Sequence, residues 1–316
     1  MGALETMLRN VIVFVLLAVP GVILVKTKIL EGGQSGVLSK VLLYVGMPFL
    51  ILNSTLDVSF GGDLLKVVLL AAAIGIGYTF LCIFLSKPVT AMEKDEKTRG
   101  IMRFCAVFGN NGFLGIPLTM AVFPDRPLVL TFVIIVNIIN NAVMYTVGVF
   151  MISGDKSTVS VKKALLNPVL IAFIIGLILN LVGVQKYVPE ISTYAGYLGS
   201  VVTPLSMLIL GMKLGGVKLL PMFTSWKTYF VSALKLIVVP TLAVALAFAL
   251  KGAFAFGEDL VLGSFVAFAM PTAALATTFS DSYGGDVEHA VSFTLGTTIL
   301  SVVCIPLLYW VVTLLL

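Results

Sequence analysis

Charge and imidazole are scarce in this chain. Of its 316 residues only 11% are Asp, Glu, Lys or Arg, while 59% are hydrophobic and the mean hydropathy is +1.12. A soluble domain needs a charged surface, so that class is excluded in favour of a multi-spanning helical membrane protein. The single histidine, His289, rules out an imidazole metal cluster or a histidine-based catalytic dyad. No G-x-S-x-G, H-E-x-x-H or P-loop pattern occurs, so an enzyme, a metal and a cofactor are not expected. Cys82, Cys105 and Cys304 all lie in apolar runs and read as small buried hydrophobes, not disulfide partners. The start of the chain lacks a basic leader and an A-x-A site, so it reads as mature sequence rather than a signal peptide. The net charge of +5 is scattered through short loops, which fits membrane topology and not nucleic acid.

What is abundant is apolar sequence in long runs. Ten candidate spans lie between charged or Gly/Pro-rich breaks, at 9–25, 37–55, 64–86, 100–122, 128–152, 167–184, 195–213, 227–250, 260–281 and 288–315. Counted with the span-end residues that border them, the loops after the odd-numbered spans hold 14 Lys and Arg, against 5 for the N-terminus and the loops after even-numbered spans, with Lys235 left inside span 8. By the positive-inside rule the odd loops are cytoplasmic and both termini face outside, as expected for a multi-pass protein of the plasma membrane.

The halves repeat. VGMPFLILNSTLD (45–57) is similar to VVTPLSMLILGMKLG (201–215), aligning Pro48 with Pro204. Pro117 of span 4 aligns with Pro271 of span 9, so the two offsets are 156 and 154 residues. Five spans per half is an odd number, which inverts the second half relative to the first. The expected fold is therefore all-α, with ten transmembrane helices in two inverted five-helix repeats, 1–152 and 167–316, joined by a cytoplasmic linker at 153–166. Span 4 carries Gly109, Asn110, Asn111, Gly112, Gly115 and Pro117 near its centre. Such a break is tolerated at membrane depth only where it is packed in protein or lines a polar cavity. A matched pair of broken helices is the sequence sign of a secondary transporter's central site.

Candidate site residues follow from this frame. Asn110 and Asn111 offer amide donors and acceptors suited to a carboxylate or carbonyl, or to the freed backbone of the break itself. In span 5, Asn137, Asn140 and Asn141 fall within an arc of about 100° and form one polar stripe, as a cavity wall or as interhelical glue. Thr272, Thr277, Thr278 and Ser280 surround and follow Pro271, either facing the span 4 asparagines or bonding back to freed carbonyls. Asn53 and Ser54 are further candidate wall groups near the outer end of span 2. Lys235 lies near the midplane of span 8, where an intramembrane charge is a functional suspect. It reads as a fixed cation opposite an anion, as part of proton coupling, or as a snorkelling side chain. Asp63 and Lys66 form either a surface pair or a proton relay. Asp281 reads as a solvated end charge, Trp226 and Trp310 as interface anchors, and Gly211-x-x-x-Gly215 as a close-packing motif able to support a dimer.

The residues FGNNGFLGIPL (108–118) resemble the fourth-helix signature of the auxin efflux carrier family, which includes the plant PIN-type carriers and many bacterial members. YVGMPFLILN (44–53) and AMPTAALATTFS (269–280) fit as well, and the ten-span layout covers essentially the whole chain. The resemblance implies a fold like the sodium/proton antiporters and bile-acid symporters. Spans 1, 2, 6 and 7 would be a scaffold and dimerisation domain, and spans 3–5 and 8–10 a transport domain, with spans 4 and 9 crossing at Pro117 and Pro271. It also implies elevator-like alternating access and organic-anion substrates, held by residues matching Asn110 or Asn111 and Asn140 or Asn141. The short linker departs from the long loop of the plant carriers and points to a short bacterial-type member. No carboxylate cluster marks a sodium site.

The expectation is thus a secondary transporter of small mono- or dicarboxylates, a homodimer in the bilayer, run by a proton or sodium gradient or as a uniporter. Lys235 and Asp63 are its candidate coupling charges, and Gly112, Pro117 and Pro271 shape the crossing. The rivals are a cation-coupled symporter of neutral or steroid-like solutes and a ligand-binding membrane sensor.

Overall fold

A computed structural model of the chain describes residues 3–56, 62–158, 162, 165–216 and 225–316. Among the described residues seven helices are long and apolar enough to cross a membrane: α1 (Leu8–Lys26 within Ala3–Lys26), α2 (Gly32–Leu56), α3 (Leu65–Val89 within Gly62–Val89), α6 (Pro127–Ser153), α8 (Glu190–Gly215), α9 (Trp226–Lys251) and α12 (Val287–Leu315). The other three apolar runs take different forms. One is the shorter helix α7 (Pro168–Val182). Two are broken, into α4 (Glu96–Val107) and α5 (Asn111–Val122), and into α10 (Gly257–Ala269) and α11 (Leu275–Ser282). Ten spans were expected and seven full-length helices occur among the described residues, because two spans are each broken into pieces too short to cross alone and the helix of a third, α7, has only 15 residues. The linker at 153–166 falls partly outside the described residues.

Helix packing runs in pairs. α1 lies along α8 and α7 along α2; α3 packs on α6 and α9 on α12; α3 meets α4 and α9 meets α10; α6 meets α10 and α12 meets α4. The broken helices occupy the centre. Every residue of α10 from Leu260 to Ala269 is buried. A helix enclosed on all sides has no polar face to show, which is why this one is apolar all round. Lipid-facing sides carry the opposite signature, with Leu65, Leu69, Phe80 and Phe84 of α3 exposed. Trp226 and Trp310 are also exposed, as interface anchors would be.

The small-residue motif of α8 packs helices closely, as expected, and its partner is α1 of the same chain. A Cβ on Gly211 would lie 1.9 Å from the Ala18 carbonyl oxygen, and one on Gly21 would lie 2.2 Å from that of Leu208. Gly211 and Gly21 therefore let α1 and α8 of the same chain touch backbone to backbone. The motif is consumed inside the protomer and gives no support to a dimer.

Two polar clasps tie helix starts together. Arg126, just before α6, pairs with Asp259 at 3.0 Å and Glu258 at 3.3 Å in the first turn of α10. Asp286, the N-cap of α12, accepts a 2.6 Å hydrogen bond from Thr98 in the first turn of α4, and 2.7 Å separates it from His289 Nδ1. Burial alone would raise the Asp286 pKa, but the bonds from Thr98 and the His289 backbone, together with the His289 charge, hold it below the usual carboxylate value.

Candidate functional site

The span 4 break is set by residues 108–110. Phe108 leaves the helix with an extended backbone (φ −88°, ψ 122°), and Met270 does the same at the end of α10 (φ −65°, ψ 145°). The two extended segments pair as a short antiparallel bridge between Gly109 and Thr272. Asn110 N donates to the Pro271 carbonyl at 2.7 Å, and Ala273 N donates to the Phe108 carbonyl at 2.9 Å. Backbone groups freed by each break are thus satisfied by the other, which is what unpaired amides buried away from water require.

This corrects the crossing point. It lies at Gly109 and Thr272, not at Pro117. Pro117 sits at the start of the α-helical stretch Ile116–Val122, directly after the widened turn inside α5. Pro271 does stand at the crossing and supplies an accepting carbonyl. Between the crossing and Pro117, residues Asn111–Gly115 form a widened turn, with Gly115 N reaching the Asn110 carbonyl five residues back.

Lys235 lies beneath the crossing. Its side chain is 1% exposed, and its ammonium donates to the Val107 carbonyl at 3.4 Å and the Phe268 carbonyl at 3.5 Å. These carbonyls belong to the last turns of α4 and α10, where a helix end carries partial negative charge and orphan acceptors. One cation therefore caps both broken helices. Gly109 makes the approach possible, since a Cβ there would stand 3.1 Å from Lys235 Nζ. Lys235 does not snorkel to a membrane surface. Thr272 adds a further tie, donating from Oγ1 to the Cys105 carbonyl at 2.9 Å, while its own N–H donates to Thr297 Oγ1 at 3.1 Å.

The asparagines divide between roles. Asn110, Gly112, Asn137 and Asn141 line one cavity of about 50 Å³, with Met47 of α2 and Ala274 on its other walls. Asn141 Nδ2 is bonded to the Asn137 carbonyl at 2.9 Å and to Asn137 Oδ1 at 3.2 Å, while Asn137 Nδ2 is buried without a partner. Asn111 is 0% exposed and does not line this cavity, and neither amide atom has a partner. Asn140 turns toward α3, where Oδ1 accepts from Thr79 Oγ1 at 3.1 Å, so one member of the expected stripe bonds a neighbouring helix.

Other candidates lie elsewhere. Asn53 is in the last turn of α2 beside Gly196 of α8, with Oδ1 buried and unpartnered. Thr277 donates back to the Ala274 carbonyl at 3.3 Å, and Thr278 is exposed on α11. Ser280 Oγ is buried without a partner. The Asp63 side chain lies outside the described residues, and Lys66 retains interactions of its own. No His, Cys, Asp or Glu cluster able to hold a metal occurs among the described residues.

Two groups were not singled out from sequence. Thr297 of α12 bonds the crossing. Lys213, in the last turn of α8, donates to the Ala274 carbonyl at 3.4 Å, one residue before α11 begins. An intramembrane lysine inside span 7 was the available signal, masked by its place within the glycine motif.

Comparison with known proteins places the chain among membrane transporters. A family model for membrane transport proteins matches residues 6–309. The chain is 30% identical over 314 residues to an uncharacterized transporter of Methanothermobacter thermautotrophicus, covering 97% of each chain. It is 29% identical over 295 residues to an uncharacterized transporter of Methanocaldococcus jannaschii, covering 90% of this chain and 91% of that one. The chain belongs to the membrane transport protein family, the auxin efflux carrier family that its fourth-span signature resembles.

Proposed function

We propose that this transporter moves small organic anions, mono- or dicarboxylates, by an elevator-type alternating-access mechanism, with the solute bound at the crossing of the broken helices. The observation that carries the reading is the asparagine-lined cavity against that crossing, where Asn137 Nδ2 is buried and unpartnered. A buried amide without a partner costs about 1–3 kcal/mol, and a solute oxygen would remove that cost.

The ten-span inverted repeat is supported by packing. Exchanging α1–α6 with α7–α12 maps each of the eight helix pairs named above onto another of them, and maps the Arg126 clasp onto the Asp286 clasp. In this reading α1, α2, α7 and α8 form the scaffold, and the remaining helices form the moving transport domain. Both termini lie outside the plasma membrane, following the loop charges. Export of an anion from a negative-inside cell gains about 2.3 kcal/mol per charge per 100 mV, whereas uptake needs a coupling ion.

The test is uptake of labelled malate, malonate, succinate, lactate and indole-3-acetate into proteoliposomes, with pH, sodium and voltage gradients imposed separately. Saturable transport of one acid, lost in Asn137→Ala, is expected. Binding of an acid with no transport under any gradient would replace the transporter reading with a sensor. A second reading, cation-coupled uptake of a neutral or steroid-like solute, draws on the apolar cavity of about 440 Å³ between α1, α5, α8 and α12. Sodium-dependent uptake of a neutral solute, and of no acid, would favour it.

A further inference from the structure

We propose that Lys213 is the residue that recognises the negative charge of the solute, taking a carboxylate group together with the Thr294 hydroxyl in a chamber beside the asparagine cavity. The inference rests on the anion-transport reading and adds a residue to its site.

An anion held in a water-poor interior needs a cation, because an uncompensated buried charge is expensive. Lys235 is ill placed to supply it. Its ammonium lies against two helix-end carbonyls, it is 1% exposed, and it does not line the asparagine cavity. Lys213 is differently placed. It lines a second, small chamber with Asn110, Ser206, Ala274, Thr294 and Thr298. This chamber holds about 20 Å³, room for one small polar group. Asn110, Phe113 and Ala274 line both it and the asparagine cavity, so the two adjoin across a common wall.

The chamber carries its own unmet polar groups. Thr294 is 4% exposed, and its Oγ1 is buried with no hydrogen-bond partner. Lys213 makes one long bond to the Ala274 carbonyl, and among the described residues no carboxylate pairs with it. An ammonium carries three donors, so two N–H groups remain for a ligand oxygen. A donor hydroxyl and an ammonium facing one small space match a carboxylate better than they match an amide or a ketone, because the ammonium bond is charge-assisted only with an anion. The cation also comes from α8, while Asn110 and Thr294 come from α5's cap and α12. A carboxylate seated there would bridge the two helix sets that the proposed mechanism moves past one another.

The experiment measures equilibrium binding of the carboxylate panel, each acid beside its neutral amide, to the full chain in lipid nanodiscs. Lys213→Met is expected to weaken the bound acid by about 10–100-fold while leaving the amide unchanged. Lys213→Arg, which keeps the charge, is expected to stay within roughly threefold of wild type. Thermal midpoints establish that each variant is folded, and Lys213→Gln replaces Lys213→Met if the latter is not. Unchanged acid affinity in the methionine variant, with affinity lost in Asn137→Ala, would overturn the role of Lys213 and leave the crossing site standing. Equal losses for acid and amide would assign Lys213 to packing and overturn it as well. If wild type bound none of the acids, the anion-transport reading and this proposal would both fail.

Discussion

Replacing Gly211 by alanine tests whether the glycine seam is internal to the protomer. The added methyl would sit 1.9 Å from the Ala18 carbonyl oxygen and 2.8 Å from its carbon, both backbone atoms that no rotamer can move. A carbon and an oxygen pack at about 3.3 Å, so α1 must retreat from α8 by more than an ångström. Such a gap forfeits a quarter to a half of each dispersion contact along the seam. With about 50 atom pairs at about 0.15 kcal/mol each, and about 40% of that lost, the cost is about 3 kcal/mol. Dividing by an unfolding entropy of about 2.1 cal/mol/K per residue gives a fall of about 4–5 °C in the thermal midpoint. The assay is thermal unfolding of the purified protein in one detergent, read beside its oligomeric state by light scattering. The midpoint should fall whether the protein is a monomer or a dimer. A midpoint equal to wild type, together with a shift from dimer to monomer, would refute the argument and return the motif to a subunit interface.

The remaining predictions concern the crossing and the clasps. Asn137→Ala should abolish transport with little change in midpoint, whereas Asn140→Ala should lower the midpoint by about 1 kcal/mol equivalent, through the stranded Thr79 hydroxyl, and keep substrate affinity; proteoliposome uptake beside thermal unfolding separates them. Lys235→Met strands the Val107 and Phe268 carbonyls while also removing a buried charge, so transport should fall far more than the midpoint does; a fully active variant would exclude the capping role. For the Asp286 clasp, the folded carboxyl titrates below its unfolded value of about 3.9, so its contribution is present above about pH 4 and is lost as pH falls through the lower folded value. The midpoint of wild type should therefore drop more steeply below pH 4 than that of Asp286→Asn.

The breaks in spans 4 and 9 were legible because glycine, asparagine and proline are costly in a lipid-buried helix and so announce themselves. Their exact positions were not. Proline draws attention as a helix breaker, yet the chain runs on as helix through Pro117, and it leaves the helix at Phe108, where Gly109 pairs with Thr272. That partner is 163 positions away and invisible to local reasoning. The asparagine stripe shows a similar limit. Helical periodicity places Asn137, Asn140 and Asn141 on one side, but only the neighbours decide that Asn140 meets Thr79 while the other two border a cavity. Lys235 was visible as an anomaly, and its task was not, since its two acceptors are main-chain carbonyls that carry no sequence signature.

The shared ammonium of Lys235 has a mechanical meaning. Its two acceptors come from different broken helices, and the backbone bridge above it joins the same two segments. Sliding one of these helices along the other would strand at least one carbonyl and two amide bonds in a place without water to replace them. The pair is riveted. In the elevator mechanism proposed above, the displacement that carries a solute would therefore take both half-helices together as a single rigid unit, and the compliance of the protein would reside at the outer contacts of that unit.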